Sequence, residues 1–215
     1  MTSPSSNSLC EIFDRLDARI RHVDEERWIS SRYASADARK TLITLYAFCY
    51  ELARVRLVVS DQAMGAIRFQ WWRDALEELE QDEVRQHDVV LALKDRLELA
   101  YLSVASLSQL VDGYETAYET YDRAAEPEAV IAAIAANVLA AAHSWGEEIR
   151  KLAPHWAALR RGEASGCGPQ VQKAPRAIRP AIAHYRLRQH WGTGKTVSPF
   201  SMRLSILRAA LTGRV

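Results

Sequence analysis

Three carboxylates, Asp112, Glu115 and Glu119, follow one another at spacings of three and four residues, which on a helix places them on one face. Oxygen ligands gathered in this way are what a hard divalent cation such as Mg2+ takes, and Asp74, Glu77 and Glu78 form a second, more compressed set. A run of acids on a helix is more often a solvated face, so both sets are weak metal candidates. Arg54, Arg56 and Arg68 offer a different chemistry, because guanidinium forks match phosphate oxygens and hold an anion without metal. Arg54 and Arg56 adjoin the apolar stripe Leu42, Leu45, Phe48, Leu52, Val55 and Val59, where an arginine needs a partner. Glu51, three residues before Arg54, is placed to be that partner.

Other chemistry finds little support. The string Gly192 to Thr196, GTGKT, resembles the end of a phosphate-binding loop, but Gln189 occupies the place of the first glycine and no strand precedes it. It reads as a turn. The six histidines, His22, His87, His143, His155, His184 and His190, include no pair four residues apart with a carboxylate on the same face, as a helical zinc site would require. No Gly-x-Ser-x-Gly elbow marks a serine nucleophile. Cys10, Cys49 and Cys167 are too far apart and too few for a disulfide framework or a metal cluster, and Cys49 reads as a small core residue.

The elements that position these residues are helical throughout. Apolar residues recur at helical spacing over Leu9 to Val23, Leu42 to Val59, Val90 to Val111 and Ile131 to Leu152. Proline is absent between residues 5 and 126, leaving Ser35 and Gly113 as turn signals. Residues 161–175 mix glycine, proline and polar residues without period and read as a flexible connection. Two shorter helices follow, near 176–190 and 199–212. The fold class is all-α, a single-domain helical bundle. Along the chain it divides into an N-terminal helix (1–27), a helical core (28–160), the connection (161–175) and basic C-terminal helices packing on the core (176–215).

With 48% hydrophobic and 26% charged residues, the 215-residue chain has the balance of a globular protein. No window approaches the roughly 18 apolar residues of a membrane span, and MTSPSSNSLC lacks a secretion signal's order, so the expected location is the cytoplasm. Residues 1–150 hold 16 basic against 26 acidic side chains, whereas 151–215 hold 12 against Glu163 alone. Such a tail packs on acidic parts of its own chain or meets a membrane surface or a protein partner. The segment RAIRPAIAHYRLRQHW places Ile178, Ile182 and Tyr185 on one side of a basic helix, which would suit peripheral membrane attachment. Nucleic acid is not expected, since Tyr185 and Trp191 beside Arg186 and Arg188 belong to no recognisable module.

At YAFCYELARVR (46–56) and QWWRDAL (70–76) the chain resembles the squalene/phytoene synthase family, in which Tyr-Ala-(Phe/Trp)-Cys-Arg commonly precedes a first aspartate motif. The likeness continues through Arg32-Tyr33, Arg39, His87 to Leu93, Leu110 to Gly113 and Leu204 to Arg214. It implies an isoprenoid synthase type of bundle, here shortened, and an enzyme that joins farnesyl or geranylgeranyl diphosphates head to head. In that family two aspartate-rich helices hold Mg2+, which draws off the diphosphate. Here the run that should read Arg-x-x-Asp-Asp-x-x-Asp is Tyr50-Glu51-Leu52-Ala53-Arg54-Val55-Arg56-Leu57, without an aspartate. A further family carboxylate corresponds to Ala117, and the second motif gives Lys151 and His155, leaving Glu51, Glu147 and Glu148 nearby. The pattern is similar to a divergent branch containing relatives of complex I assembly factors, commonly regarded as non-catalytic.

The expectation is a catalytically degenerate member of that family, a pseudoenzyme that binds a lipid or prenyl group or serves as an interaction or assembly module. Its cavity residues would be Tyr46, Glu51, Arg54, Arg56, Arg68 and Trp71, with no confident catalytic residue and no cofactor. The alternative is an active Mg2+-dependent prenyltransferase of isoprenoid biosynthesis drawing its ligands from Asp112, Glu115 and Glu119 or from Asp74, Glu77 and Glu78.

Overall fold

The computed structural model describes residues 6–59, 61–141, 143–194 and 196–215, and among them every regular element is helical. The longer helices are α1 (Ser6–Val23), α2 (Glu25–Ser31), α3 (Ala36–Val58), α4 (Gln62–Glu80), α5 (Asp88–Glu98), α6 (Val104–Glu119), α7 (Glu128–Leu139) and α8 (Gly146–Arg160). Two single turns, α9 (Arg179–Ile182) and α10 (Arg188–Trp191), precede α11 (Pro199–Thr212). None is long and apolar enough to cross a membrane.

The residues group into two compact units that interleave along the chain. Unit 1 comprises Met1–His22 and Ile43–Pro127, and unit 2 comprises Val23–Leu42 and Glu128–Val215. This grouping follows contacts, whereas the linear division at residues 27, 160 and 175 follows composition.

In unit 1 the helices differ from the sequence pattern in one place. The apolar repeat from Val90 to Val111 is not one helix: α5 ends at Glu98, Ala100 turns left-handed at φ 55°, and the Ser103 hydroxyl restarts the chain by accepting from the Ser106 amide at 3.3 Å. Gly113 is not a turn either. It lies inside α6, and a Cβ there would come 2.7 Å from the Pro127 ring, so glycine permits a close approach. Gly65 does the same between α4 and α6, where a methyl would fall inside the Tyr118 ring. Phe69 packs on that ring at 5.7 Å, and the Tyr118 hydroxyl donates to the Asp61 carbonyl at 2.9 Å. Cys49 is buried, as its apolar surroundings in α3 suggest.

Unit 2 breaks its apolar repeat as well, with α7 ending at Leu139 and α8 beginning at Gly146 around the buried Trp145. Its centre is ionic as well as apolar. Arg27 is buried, donates to Asp24 at 2.7 Å and to Glu128, and lies over the Trp156 ring at 5.1 Å. Arg160 covers Trp156 at 5.3 Å and pairs with Asp24 and Glu26.

The expected helix over 176–190 is instead a chain of short turns, since Pro180 has no amide to donate and starts a new turn at the head of α9. Ile178, Ile182 and Tyr185 are fully buried, so the side that would suit a membrane is core. Part of the basic tail is engaged within unit 2: Arg203 pairs with Glu25, Arg179 donates to the Ala174, Ala210 and Leu211 carbonyls, and Arg188 donates to those of Cys167 and Val215. Residues 161–175 lack helix but are anchored, with Gly166 and Ala174 amides donating to the Gly192 and Gly213 carbonyls. Gly192 to Gly194 form a turn, while Lys195 lies outside the described residues.

Candidate functional site

The corner between α3 and α4 in unit 1 opens into a groove of about 460 Å3. That volume lies within the range of small-molecule sites. Its construction follows from helical spacing. Glu51, Arg54, Val55 and Val58 share one face at the end of α3, and Met64, Ile67, Arg68 and Trp71 share one face of α4. Asp61 fixes the corner by accepting from the Met64 amide at 3.0 Å, so α4 starts where its exposed face continues that of α3. The opposite face of α4, with Gly65, Phe69, Trp72 and Leu76, is buried.

His87 and Trp72 complete the lining. The His87 Nδ1 accepts from the Val89 amide at 3.3 Å as the cap of α5, which leaves the ring proton on Nε2. Its ring meets Trp72 edge-on at 5.3 Å and Trp71 at 5.7 Å, and burial pushes its pKa below the ordinary 6.5. The ring is therefore neutral at neutral pH. Trp71 is held from behind by the Arg85 guanidinium, 4.9 Å from its ring and tied to Glu78 at 2.6 and 2.7 Å.

The charges in the groove are unequal. Glu51 accepts from Arg19 at 2.8 Å and lies 3.6 Å from Arg54, which makes the expected pair. Arg68 is exposed and makes no ion pair among the described residues. Two guanidiniums thus face one carboxylate that is already neutralised, and the groove favours an anionic group beside an apolar chain.

Of the residues expected at the cavity, Glu51, Arg54, Arg68 and Trp71 meet in the groove. Tyr46 is buried in α3, outside the lining, and Arg56 turns elsewhere, donating to the Ala117 carbonyl at 2.8 Å and to Glu126 at 3.1 Å. Arg56 therefore lies outside the groove lining. The sequence reading missed Val55, Val58, Met64, Ile67, Trp72 and His87. The repeat of Met64, Ile67, Arg68 and Trp71 at helical spacing was the available signal.

Four of the six carboxylates considered for metal, Asp112, Glu115, Asp74 and Glu78, are engaged with cations. Arg73 donates to Asp112 at 2.7 Å and to Glu115, while Arg85 lies between Asp74 and Glu78. Glu115 and Glu119 line a second recess of about 370 Å3 beside Gln62, Ala63 and Ala66. Among the described residues no group of three or more His, Cys, Asp or Glu side chains is arranged to hold a metal ion. In unit 2, Glu147 pairs with Arg150 and Lys151 on an exposed face of α8, and His155 contacts the Gly166 carbonyl at 3.2 Å.

Residues 20–129, just over half of the chain, match the squalene/phytoene synthase family model. The chain belongs to the squalene/phytoene synthase family. It is also similar to NADH dehydrogenase (ubiquinone) complex I, assembly factor 6, with 29% identity to the human and rat proteins and 26% to the bovine one, each over 96 residues. These matches cover 45% of this chain and 29% of each relative, so the chain spans under a third of their length. No solved structure matches.

Within this family the aspartate positions carry the diphosphate-bound Mg2+, and the residues here do not fit that group. They are Ala53, Arg54 and Leu57, of which Arg54 brings a positive charge into the groove and Leu57 faces solvent. No step through a metal ion is derived from them.

Proposed function

We propose that this chain is a non-catalytic member of the squalene/phytoene synthase family that holds the apolar chain of an isoprenoid or comparable lipid in the unit 1 groove. It works as an interaction module in protein assembly, a role suggested by the printed name of its relatives. The observation that carries the reading is the replacement of metal-binding acids by Arg54 in an open, apolar-walled groove whose one lining carboxylate, Glu51, is already paired. Arg54 and Arg68 receive the anionic head by charge-assisted hydrogen bonds, and Val55, Val58, Met64, Ile67 and the Trp71 ring take the chain.

The test is titration of the full chain with geranylgeranyl diphosphate, followed through tryptophan fluorescence against a Trp71→Phe control, in Mg2+ and in chelator. Saturable binding insensitive to chelator, weakened in an Arg54→Gln/Arg68→Gln variant and without pyrophosphate release, is the expected result. Turnover that chelator abolishes would establish the Mg2+-dependent prenyltransferase instead.

A further inference from the structure

The apolar wall of the groove continues onto the outer surface of the corner. Leu57 is 78% exposed, Ile67 60%, Met64 51% and Val58 48%, a concentration of large aliphatic side chains in the last turn of α3 and the first two turns of α4. Leu57 follows Arg54 by three residues and so borders the groove face of α3. Single exposed aliphatic residues are ordinary, but a contiguous group around one corner marks a surface that meets something apolar.

We infer that this corner seats unit 1 on an anionic lipid surface. Arg54 and Arg68 flank the aliphatic group, and an interfacial helix combines the same two elements, apolar side chains entering the acyl boundary and cations meeting the headgroups. The acids at the corner do not oppose this. Asp61 caps α4 and Glu51 is paired with Arg19 and Arg54. The acidic recess with Glu115 and Glu119 opens beside Gln62, Ala63 and Ala66, which confines the seat to the Met64, Ile67 and Arg68 side of α4. The groove opens at the same corner, so a lipid chain can pass from the bilayer into it without crossing water. No helix described here spans a membrane, and the attachment is therefore interfacial. It replaces the basic 176–191 segment as the membrane-facing feature, since the apolar residues of that segment are core.

The experiment is co-sedimentation of the full chain with vesicles of phosphatidylcholine alone and of phosphatidylcholine mixed with phosphatidylglycerol. Retention on the anionic vesicles, several-fold above the neutral ones and reduced by salt, is expected. A Leu57→Glu/Ile67→Glu variant lowers that retention by about tenfold or more, because two side chains that enter the apolar layer become charged. Its helical circular dichroism and melting temperature stay unchanged, since both positions are exposed. An Arg54→Gln/Arg68→Gln variant keeps the residual neutral-vesicle binding and loses the anionic preference.

Absence of retention, or retention that neither variant changes, would overturn the inference. So would a wild-type dimer that the glutamate variant converts to monomer, which assigns the patch to a second copy. A chain that takes up geranylgeranyl diphosphate in solution yet ignores vesicles leaves the proposed function standing and refutes only the seat.

Discussion

Unit 1 sets Trp72 edge-on to His87 and lays Arg85 over Trp71, and unit 2 sets Trp156 edge-on to His184 and lays Arg27 and Arg160 over the same indole. The side-chain types are alike and their surroundings are opposite. In unit 1 the cluster forms one wall of an open groove, and its charges sit at the rim, where solvent weakens them. In unit 2 two guanidiniums lie over Trp156, and the cations are matched by Asp24, Glu26 and Glu128. Burial raises the cost of leaving any of these ions alone, so unit 2 uses its arginines to hold shape. Among the described residues, unit 1 leaves Arg68 without an acid and aliphatic side chains in water, and the proposed binding role rests on this incompleteness.

Removing a cation separates the two regions most strongly. Arg27→Met removes the buried cation that pairs with Asp24 and Glu128 and leaves Asp24 to Arg160, and a cost of about 3–5 kcal/mol is expected. Arg85→Met breaks an outer pair with Glu78 and costs about 0–1 kcal/mol. Urea unfolding of both variants makes the comparison, and equal losses would mean that the Arg27 network is as solvated as the rim of the groove. In unit 1 the tight side of α4 is the next test. Gly65→Ala pushes a methyl into the Tyr118 ring and should lower stability by about 1–3 kcal/mol, read from the same denaturant midpoint.

How far these features could be read from the chain follows from what sets them. Helix type and the buried stripe of α3 come from local spacing, which the sequence carries directly, and so does the Glu51–Arg54 pair at three residues' separation. Breaks are less visible, because α5 ends before Ala100 without a proline or glycine, and α7 stops at Leu139, several residues before Gly146 opens α8. Gly113 misled for the complementary reason, since its purpose lies in Pro127, which packs against it through tertiary contact. Arg56 resembled Arg54 in sequence, but a backbone acceptor 61 residues away decides where it points. Glu51, Arg54 and Trp71 of the groove lie in the family motif, while His87 enters the lining as the cap that accepts from the Val89 amide, with its ring beside the two tryptophans.

Protonation gives a smaller contrast with a definite sign. His184 is fully buried, neither ring nitrogen has a hydrogen-bond partner among the described residues, and burial with the nearby Arg27 guanidinium pushes its pKa well below 6.5. In the unfolded chain it protonates near 6.5, while the folded chain keeps it neutral. The unfolded state therefore binds the extra proton between those two values, and stability falls as pH drops below about 6.5. Asp24, which Arg27 and Arg160 hold below the ordinary 3.8, adds stability above that value and loses it only under strongly acid conditions. His184→Phe should flatten the slope below pH 6.5 by up to about 1.4 kcal/mol per pH unit, whereas His87→Phe, at a half-buried position, should flatten it less. Denaturant midpoints measured across that range decide it, and a larger effect at His87 would reverse the assignment of open and closed clusters.

The smallest effect on stability is expected where the effect on binding is large. Ile67 is exposed in the groove and Ile182 is fully buried in unit 2, so the same substitution measures two different environments. Ile182→Ser leaves a void and buries a hydroxyl, with a cost of about 2–5 kcal/mol. Ile67→Ser exposes nothing new and should change stability by no more than about 0.5 kcal/mol. Removing that wall should nevertheless weaken uptake of a prenyl chain by about tenfold, corresponding to about 1.4 kcal/mol of lost apolar contact. Parallel unfolding and fluorescence titrations separate the two quantities. If Ile67→Ser destabilised the chain as Ile182→Ser does, the stripe would be a covered core face and the groove would hold no ligand. Unchanged stability with weakened uptake makes the exposed side of α4 a surface whose apolar residues act on a ligand rather than on the fold.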